Sequence, residues 1–107
     1  MVTRMPKAKT LRDIPGVLVY DIKGAIYRER QNNGYKSIIN TIIKFSYNGF
    51  TDTLFLVEDE KNPHHFTLYS ITPCYFTRQG AELKNANTKH KIISFKETDL
   101  WTLNELI

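Results

Sequence analysis

His64-His65 is the most conspicuous pair of potentially reactive residues in the chain. An imidazole serves as metal ligand, general base or proton shuttle near neutral pH. Adjacent residues on a strand point to opposite faces, so this pair does not readily chelate one ion. His90 is the remaining histidine, and no cysteine or acid lies at a recognised zinc spacing from any of the three. The histidines therefore read as loop-edge and strand residues, and neither metal nor cofactor is expected.

Cys74 lies between Pro73 and Tyr75-Phe76. A nucleophilic thiolate needs a base and surroundings that lower its pKa. Nothing in the sequence places a histidine beside it, so it reads as a small apolar filler. Glu58-Asp59-Glu60 is a run of acids, but a calcium loop needs spaced oxygen ligands and a glycine bend. The run reads as a solvated loop. The five glycines fall at scattered turns, with no phosphate-cradling loop and no nucleophile elbow. These absences weigh against an enzyme. They leave room for a small ribonuclease whose Arg, Lys, His and Tyr side chains meet only in the folded chain.

Cations interleaved with aromatics carry the strongest signal. Tyr75-Phe76-Thr77-Arg78 leads towards Lys84, Lys89, His90 and Lys91. Tyr27-Arg28-Glu29-Arg30, read as strand, sends Arg28 and Arg30 to one side. A small sheet with exposed rings and flanking cations suits a single-stranded nucleic acid, whose bases stack while lysines and arginines follow the phosphates. Arg28, Arg30, Arg78, Lys84, Lys89 and Lys91 are the candidate phosphate-binding residues, and Tyr27 and Tyr75 the candidate stacking residues. Arg4, Lys7, Lys9 and Arg12 would add auxiliary cations from an N-terminal tail.

The charge distribution fits this reading. Net charge is +4, yet residues 1–12 hold those four cations and no acid. Residues 78–96 hold Arg78, Lys84, Lys89, Lys91 and Lys96 against Glu82 alone, and residues 97–107 hold three acids and no base. Local positive fields attract phosphates or acidic surfaces. The plainer explanation is a solvated tail and a soluble loop.

The elements that would position these groups read as mainly β. Residues 1–16 read as a flexible basic tail ending at Pro15-Gly16, and residues 17–107 as a single β-rich domain. Val17 to Ile22 and Ala25 to Arg30 read as a hairpin turning at Lys23-Gly24, with Tyr20 opposite Tyr27. Asn32-Asn33-Gly34 reads as a turn. Tyr35, Ile38, Ile39, Ile42 and Ile43 fit a helix period, whereas four isoleucines favour strand. The reading leans to strand for 36–41, with a helix at 35–41 as rival, and takes 42–47 as strand.

Asn48-Gly49 between apolar runs marks a two-residue hairpin pairing Tyr47 with Phe50, Phe45 with Asp52 and Ile43 with Leu54. Phe50 to Val57, His65 to Ile71 and Lys91 to Lys96 read as strands, Cys74 to Thr77 as a resumed strand and 79–88 as a loop. In the Lys91–Lys96 strand, Ile93 and Phe95 point one way, Ile92 and Ser94 the other. Thr98 or Asp99 would cap a short C-terminal helix carrying Leu100, Leu103 and Leu106. The sum is a small antiparallel sheet or barrel of about six or seven short strands with one C-terminal helix.

One cysteine cannot form an internal disulfide, and apolar runs fall far short of a membrane span. With no apolar leader near Met1, the expected location is the cytoplasm. The functional expectation is a small non-catalytic nucleic-acid-binding or regulatory module. Its partner would be single-stranded nucleic acid or RNA. The first alternative is a protein-interaction module such as an inhibitor, adaptor or homodimeric subunit; the second is a toxin-like ribonuclease.

Overall fold

The computed structural model describes residues 8–47, 49–70 and 90–103. Helix α1 spans Gly16–Asn33, and strands β1 (Asn40–Tyr47), β2 (Phe50–Glu58), β3 (His65–Ser70) and β4 (His90–Lys96) follow. Helix α2, Glu97–Thr102, follows β4 directly. Among the described residues the four strands form one open antiparallel sheet in the order β1-β2-β3-β4. The expected six- or seven-stranded sheet or barrel is thus corrected to an open four-stranded sheet with two helices. Cys74 to Thr77, the 79–88 loop and Leu106 lie outside the described residues.

The main correction is α1, which replaces the expected hairpin of residues 17–30. Leu18, Val19, Ile22, Ala25 and Ile26 are all buried, and their i, i+1, i+4, i+7, i+8 spacing keeps them on one helical face. The β-branched residues suggested strand, but only a helix puts all five on one side against the sheet. Pro15 precedes the first turn, and its carbonyl accepts from the N–H groups of Leu18 and Val19 at 2.9 and 3.1 Å. The helix ends at Gly34, whose N–H donates to the Arg30 carbonyl at 3.0 Å. Lys23-Gly24 is mid-helix rather than a turn.

Residues 34–39 form neither the expected strand nor its rival helix. Only Ile39 of this connection enters the core, and its carbonyl accepts from Glu58 N–H at 2.8 Å. Beyond it the hairpin register is the expected one: Tyr47 pairs with Phe50, Phe45 with Asp52 and Ile43 with Leu54. Gly49 turns at φ 82°, where a residue without Cβ carries no steric penalty.

In β4, Ile93 and Phe95 face the core and Ser94 faces outward as expected, but Ile92 is also buried. Leu68 pairs with Ile93 and Tyr69 with Lys91, which leaves Ile92 as an extra residue in a β-bulge. The C-terminal helix begins at Glu97, with Lys96 rather than Thr98 or Asp99 at its cap.

Both helices pack on one face of the sheet. Leu18, Ile22 and Ile26 of α1 and Leu100 of α2 join Ile43, Leu54, Leu56, Phe66, Leu68 and Ile93 in one apolar cluster. Phe66 and Phe95 stack across β3 and β4 with ring centres 5.7 Å apart. Residues 8–14, read with the tail, send Leu11 and Ile14 into the same cluster. Thr10 and Asp13 cap each other across a 3₁₀ turn at Leu11–Asp13, and Ala8 N–H donates to the Ile92 carbonyl at 2.9 Å. No helix among the described residues is long and apolar enough to cross a membrane.

Candidate nucleic-acid interface

The inward side of the sheet ends in a cluster of charges. Arg30, on the last turn of α1, is 9% exposed. Its Nη1 donates to both oxygens of Glu97 at 2.7 and 2.6 Å, and its Nη2 reaches Glu58 Oε2 at 3.4 Å. Glu58 Oε1 accepts from Ile39 N–H at 3.1 Å, and Oε2 accepts from His64 N–H at 2.8 Å. Trp101 Nε1 donates to Glu97 Oε2 at 2.8 Å. His64 Nδ1 lies 2.9 Å from Glu97 Oε1 and 3.4 Å from Arg30 Nη2.

Burial pushes the Glu97 carboxyl up, but donation from Arg30, His64 and Trp101 outweighs it and holds the group below the ordinary carboxylate range. His64 adopts φ 69°, a left-handed conformation uncommon for a residue with a side chain. Its backbone is pinned on both sides: N–H to Glu58, and carbonyl to Glu97 N–H at 2.8 Å. The cluster ties α1, β2, the β2–β3 connection and α2 together.

The structure thus places Arg30 among buried carboxylates and not, as expected, among exposed cations. Its guanidinium is committed to two buried carboxylates. Arg28 and Arg30 also do not share a side, because helical spacing rotates them about 200° apart. The acidic run is corrected in the same way: Glu58 is buried at a strand end, while Asp59 and Glu60 remain in the exposed loop.

The outward side of the sheet is a different surface. Strand alternation sends Asn40, Ile42, Lys44 and Ser46 of β1 outward, with Thr53, Phe55 and Val57 of β2. His65, Thr67 and Tyr69 of β3, and Lys91, Ser94 and Lys96 of β4, complete it. Register places Ile42, Phe55, Tyr69 and Lys91 in one row across all four strands. Phe55 and Tyr69 are half-buried and directly opposed on the two central strands. The adjacent row runs Asn40, Val57, Thr67, Ser94, with Thr67 and Ser94 hydroxyls 2.9 Å apart. Lys44, Lys91 and Lys96 are exposed around the aromatic row, and none of these outward residues is an acid.

The remaining sequence candidates scatter. Lys91 sits at the β4 end of the aromatic row. Tyr27 and Arg28 are exposed on α1, on the far side of the molecule from that row. Lys9 and Arg12 line a cavity of about 350 Å³ beside Ser94, Asp99 and Thr102. Arg78, Lys84, Lys89, Tyr75, Arg4 and Lys7 lie outside the described residues. Sequence reasoning passed over Phe55, Tyr69, Lys44 and Lys96. The signal was present: a register pairing Ile43 with Leu54 also pairs Ile42 with Phe55 on the opposite face.

Comparison with protein-family models, with curated proteins and with solved structures finds no match. The functional reading accordingly rests on the chemistry of these two surfaces.

Proposed function

We propose that this protein binds single-stranded nucleic acid across the outward face of its sheet. The observation that carries this reading is the opposed pair Phe55 and Tyr69 at the centre of a face edged by Lys44, Lys91 and Lys96. Adjacent rings on an open sheet offer stacking positions for successive bases, worth about 1–3 kcal/mol per base. Ile42 extends the apolar row, and Thr67 and Ser94 supply hydroxyls for base edges or a ribose. The lysines follow the phosphates, with no outward carboxylate on the strands to oppose them.

Fluorescence anisotropy with labelled single-stranded RNA, single-stranded DNA and duplex tests the reading. Single strands are expected to bind more tightly than duplex, with affinity falling as salt rises. Changing Lys44, Lys91 and Lys96 to Ala reduces the salt slope by about 0.7 for each phosphate that is no longer neutralised. Tyr69→Phe retains most of the affinity and Tyr69→Ala loses most of it. Absence of binding to every oligonucleotide at low salt overturns the proposal.

A second reading, a ribonuclease, is favoured by His64 alone. A carboxylate on Nδ1 leaves Nε2 as proton acceptor, the arrangement of a general base. His64 is 63% exposed in its side chain and stands beside Arg30. Arg30, however, is spent on two carboxylates and offers little to a phosphate. Incubating the same RNA and looking for 2′,3′-cyclic phosphate ends decides this reading; intact RNA removes it.

A further inference from the structure

The solvent side of α1 has the wrong composition for a face that meets only water. The outermost residues are Val17, Tyr20, Gly24, Tyr27 and Gln31, spaced three and four apart along one stripe opposite the core. Val17, Tyr20 and Tyr27 are 55%, 72% and 63% exposed. A glycine inside a helix costs about 1 kcal/mol relative to alanine, and Gly24 is half-buried beneath the Arg28 side chain of its own chain. Asp21 and Arg28, of opposite charge, flank the stripe on one side. Lys23, on the other side, lies 5.7 Å from the Trp101 ring centre.

We infer that this stripe is the two-fold interface of a homodimer, with the α1 helices of two copies crossing antiparallel at Gly24. A two-fold axis through Gly24 brings Tyr20 of one copy level with Arg28 of the other, Tyr27 level with Asp21 and Val17 level with Gln31. It also sets each edge of the stripe against the same edge of the other copy, so each Asp21 carboxylate faces the other copy's Arg28 guanidinium and the Tyr20 and Tyr27 rings of the two copies meet beside them. A parallel pairing would instead send Asp21 and Arg28 of the two copies to opposite edges of the contact. The Asp21–Arg28 pair is complementary to itself across the antiparallel axis, as a closed two-fold interface requires. Gly24 removes a Cβ from the crossing point, where Arg28 Nη1 already lies 3.2 Å from the position such an atom would take.

From Val17 to Gln31 the stripe is about 21 Å long at 1.5 Å per residue. One helix pair of that length falls at the small end of specific interfaces, so weak association is expected. The two sheets of such a dimer face away from each other. If the proposed function holds, a long single strand engages both and gains avidity; the dimer itself does not depend on that function.

Sedimentation equilibrium of the full chain, from about 1 μM to about 500 μM without nucleic acid, tests the inference. A monomer–dimer equilibrium is expected in that range. Tyr27→Glu, which places a charge in the middle of the apolar contact, abolishes it. Asp21→Arg weakens it about tenfold or more, and adding Arg28→Asp to that variant restores it. Gly24→Ala, which fills the crossing point and displaces Arg28, weakens dimerisation. These side chains lie outside the core, so circular dichroism should remain that of the parent. A monomer at the highest concentration, or a dimer indifferent to Tyr27→Glu and to the charge swap, overturns the inference.

Discussion

On the inward side of the sheet, Arg30 is ringed by Glu58, Glu97 and His64; on the outward side, Lys44, Lys91 and Lys96 surround Phe55 and Tyr69. The first region spends its charges on its own side chains. The second holds its charges in solvent, where no acid of the strands answers them. Arg30 and Lys91 look equivalent as cations in the sequence, but the fold buries one and exposes the other. Arg30 fixes where α2 sits, whereas Lys91 is available to a ligand. Availability, rather than charge, separates architecture from a binding surface.

The sharpest way to test this contrast is to break the inward cluster. Removing one partner of a buried ion pair strands the other and costs about 3–5 kcal/mol. Arg30→Met and Glu97→Ala are expected to lower the melting temperature by more than about 10 °C in a domain of this size, where about 1 kcal/mol shifts it by 4–8 °C. Nucleic-acid affinity of the fraction still folded should be unchanged. Thermal denaturation combined with anisotropy below the transition checks both halves. A variant that keeps its stability but loses binding would place Arg30 in the interface and dissolve the contrast.

Next in size is the aromatic row. Tyr69→Ala should reduce affinity for single strands by about 1–3 kcal/mol, while Lys91→Ala should leave stability within about 0.5 kcal/mol of the parent. Chemical denaturation beside anisotropy separates the two effects.

Acid should act on the inward region first. Glu97 keeps its charge to lower pH in the folded chain than in the unfolded one. Between the two pKa values the unfolded chain binds the extra proton, so this group's stabilisation is full above the ordinary carboxylate range. It is lost as pH falls through the folded value. Trp101, the single tryptophan and a donor to Glu97, reports the change. Its emission and the melting temperature should fall together below about pH 4.5, and Glu97→Gln should flatten that slope.

The smallest expected effect lies at Asp52, on the inward side of β2. Burial pushes its carboxyl above the ordinary value, against donation from Thr53 N–H and the Ser70 hydroxyl. A raised carboxylate pKa favours the protonated form, so ionisation at neutral pH disfavours the fold. Asp52→Asn should change stability at pH 7 by no more than about 0.5 kcal/mol, in the stabilising direction, and remove a small pH dependence. Chemical denaturation at pH 5 and pH 7 checks it.

The β1–β2 hairpin was legible because its signal is local: Asn48-Gly49 sets the turn, and alternation on each side sets the register through to Ile43 and Leu54. Helix α1 was not, because its buried set is rich in Val and Ile and Lys23-Gly24 imitates a turn. Only the 3.6-residue recurrence from Leu18 to Ile26, satisfied by packing on a sheet formed later in the chain, distinguishes the two. The Arg30 cluster was illegible for another reason. Its members come from α1, the end of β2, the residue before β3 and the start of α2, and no sequence spacing links them. The outward face falls between these cases. Phe55 could be assigned to it from the hairpin register, but its pairing with Tyr69 required the β2–β3 alignment.

The most direct measurement is a ¹⁵N-edited NMR titration of the full chain with a short single-stranded RNA. Amide shifts should concentrate at Ile42, Lys44, Phe55, Thr67, Tyr69 and Lys91, with α1 and the amides around Glu97 nearly still. Shifts confined to Tyr20, Tyr27 and Arg28 on α1, or no shifts at millimolar RNA, would contradict the assignment of the outward sheet face as the binding surface.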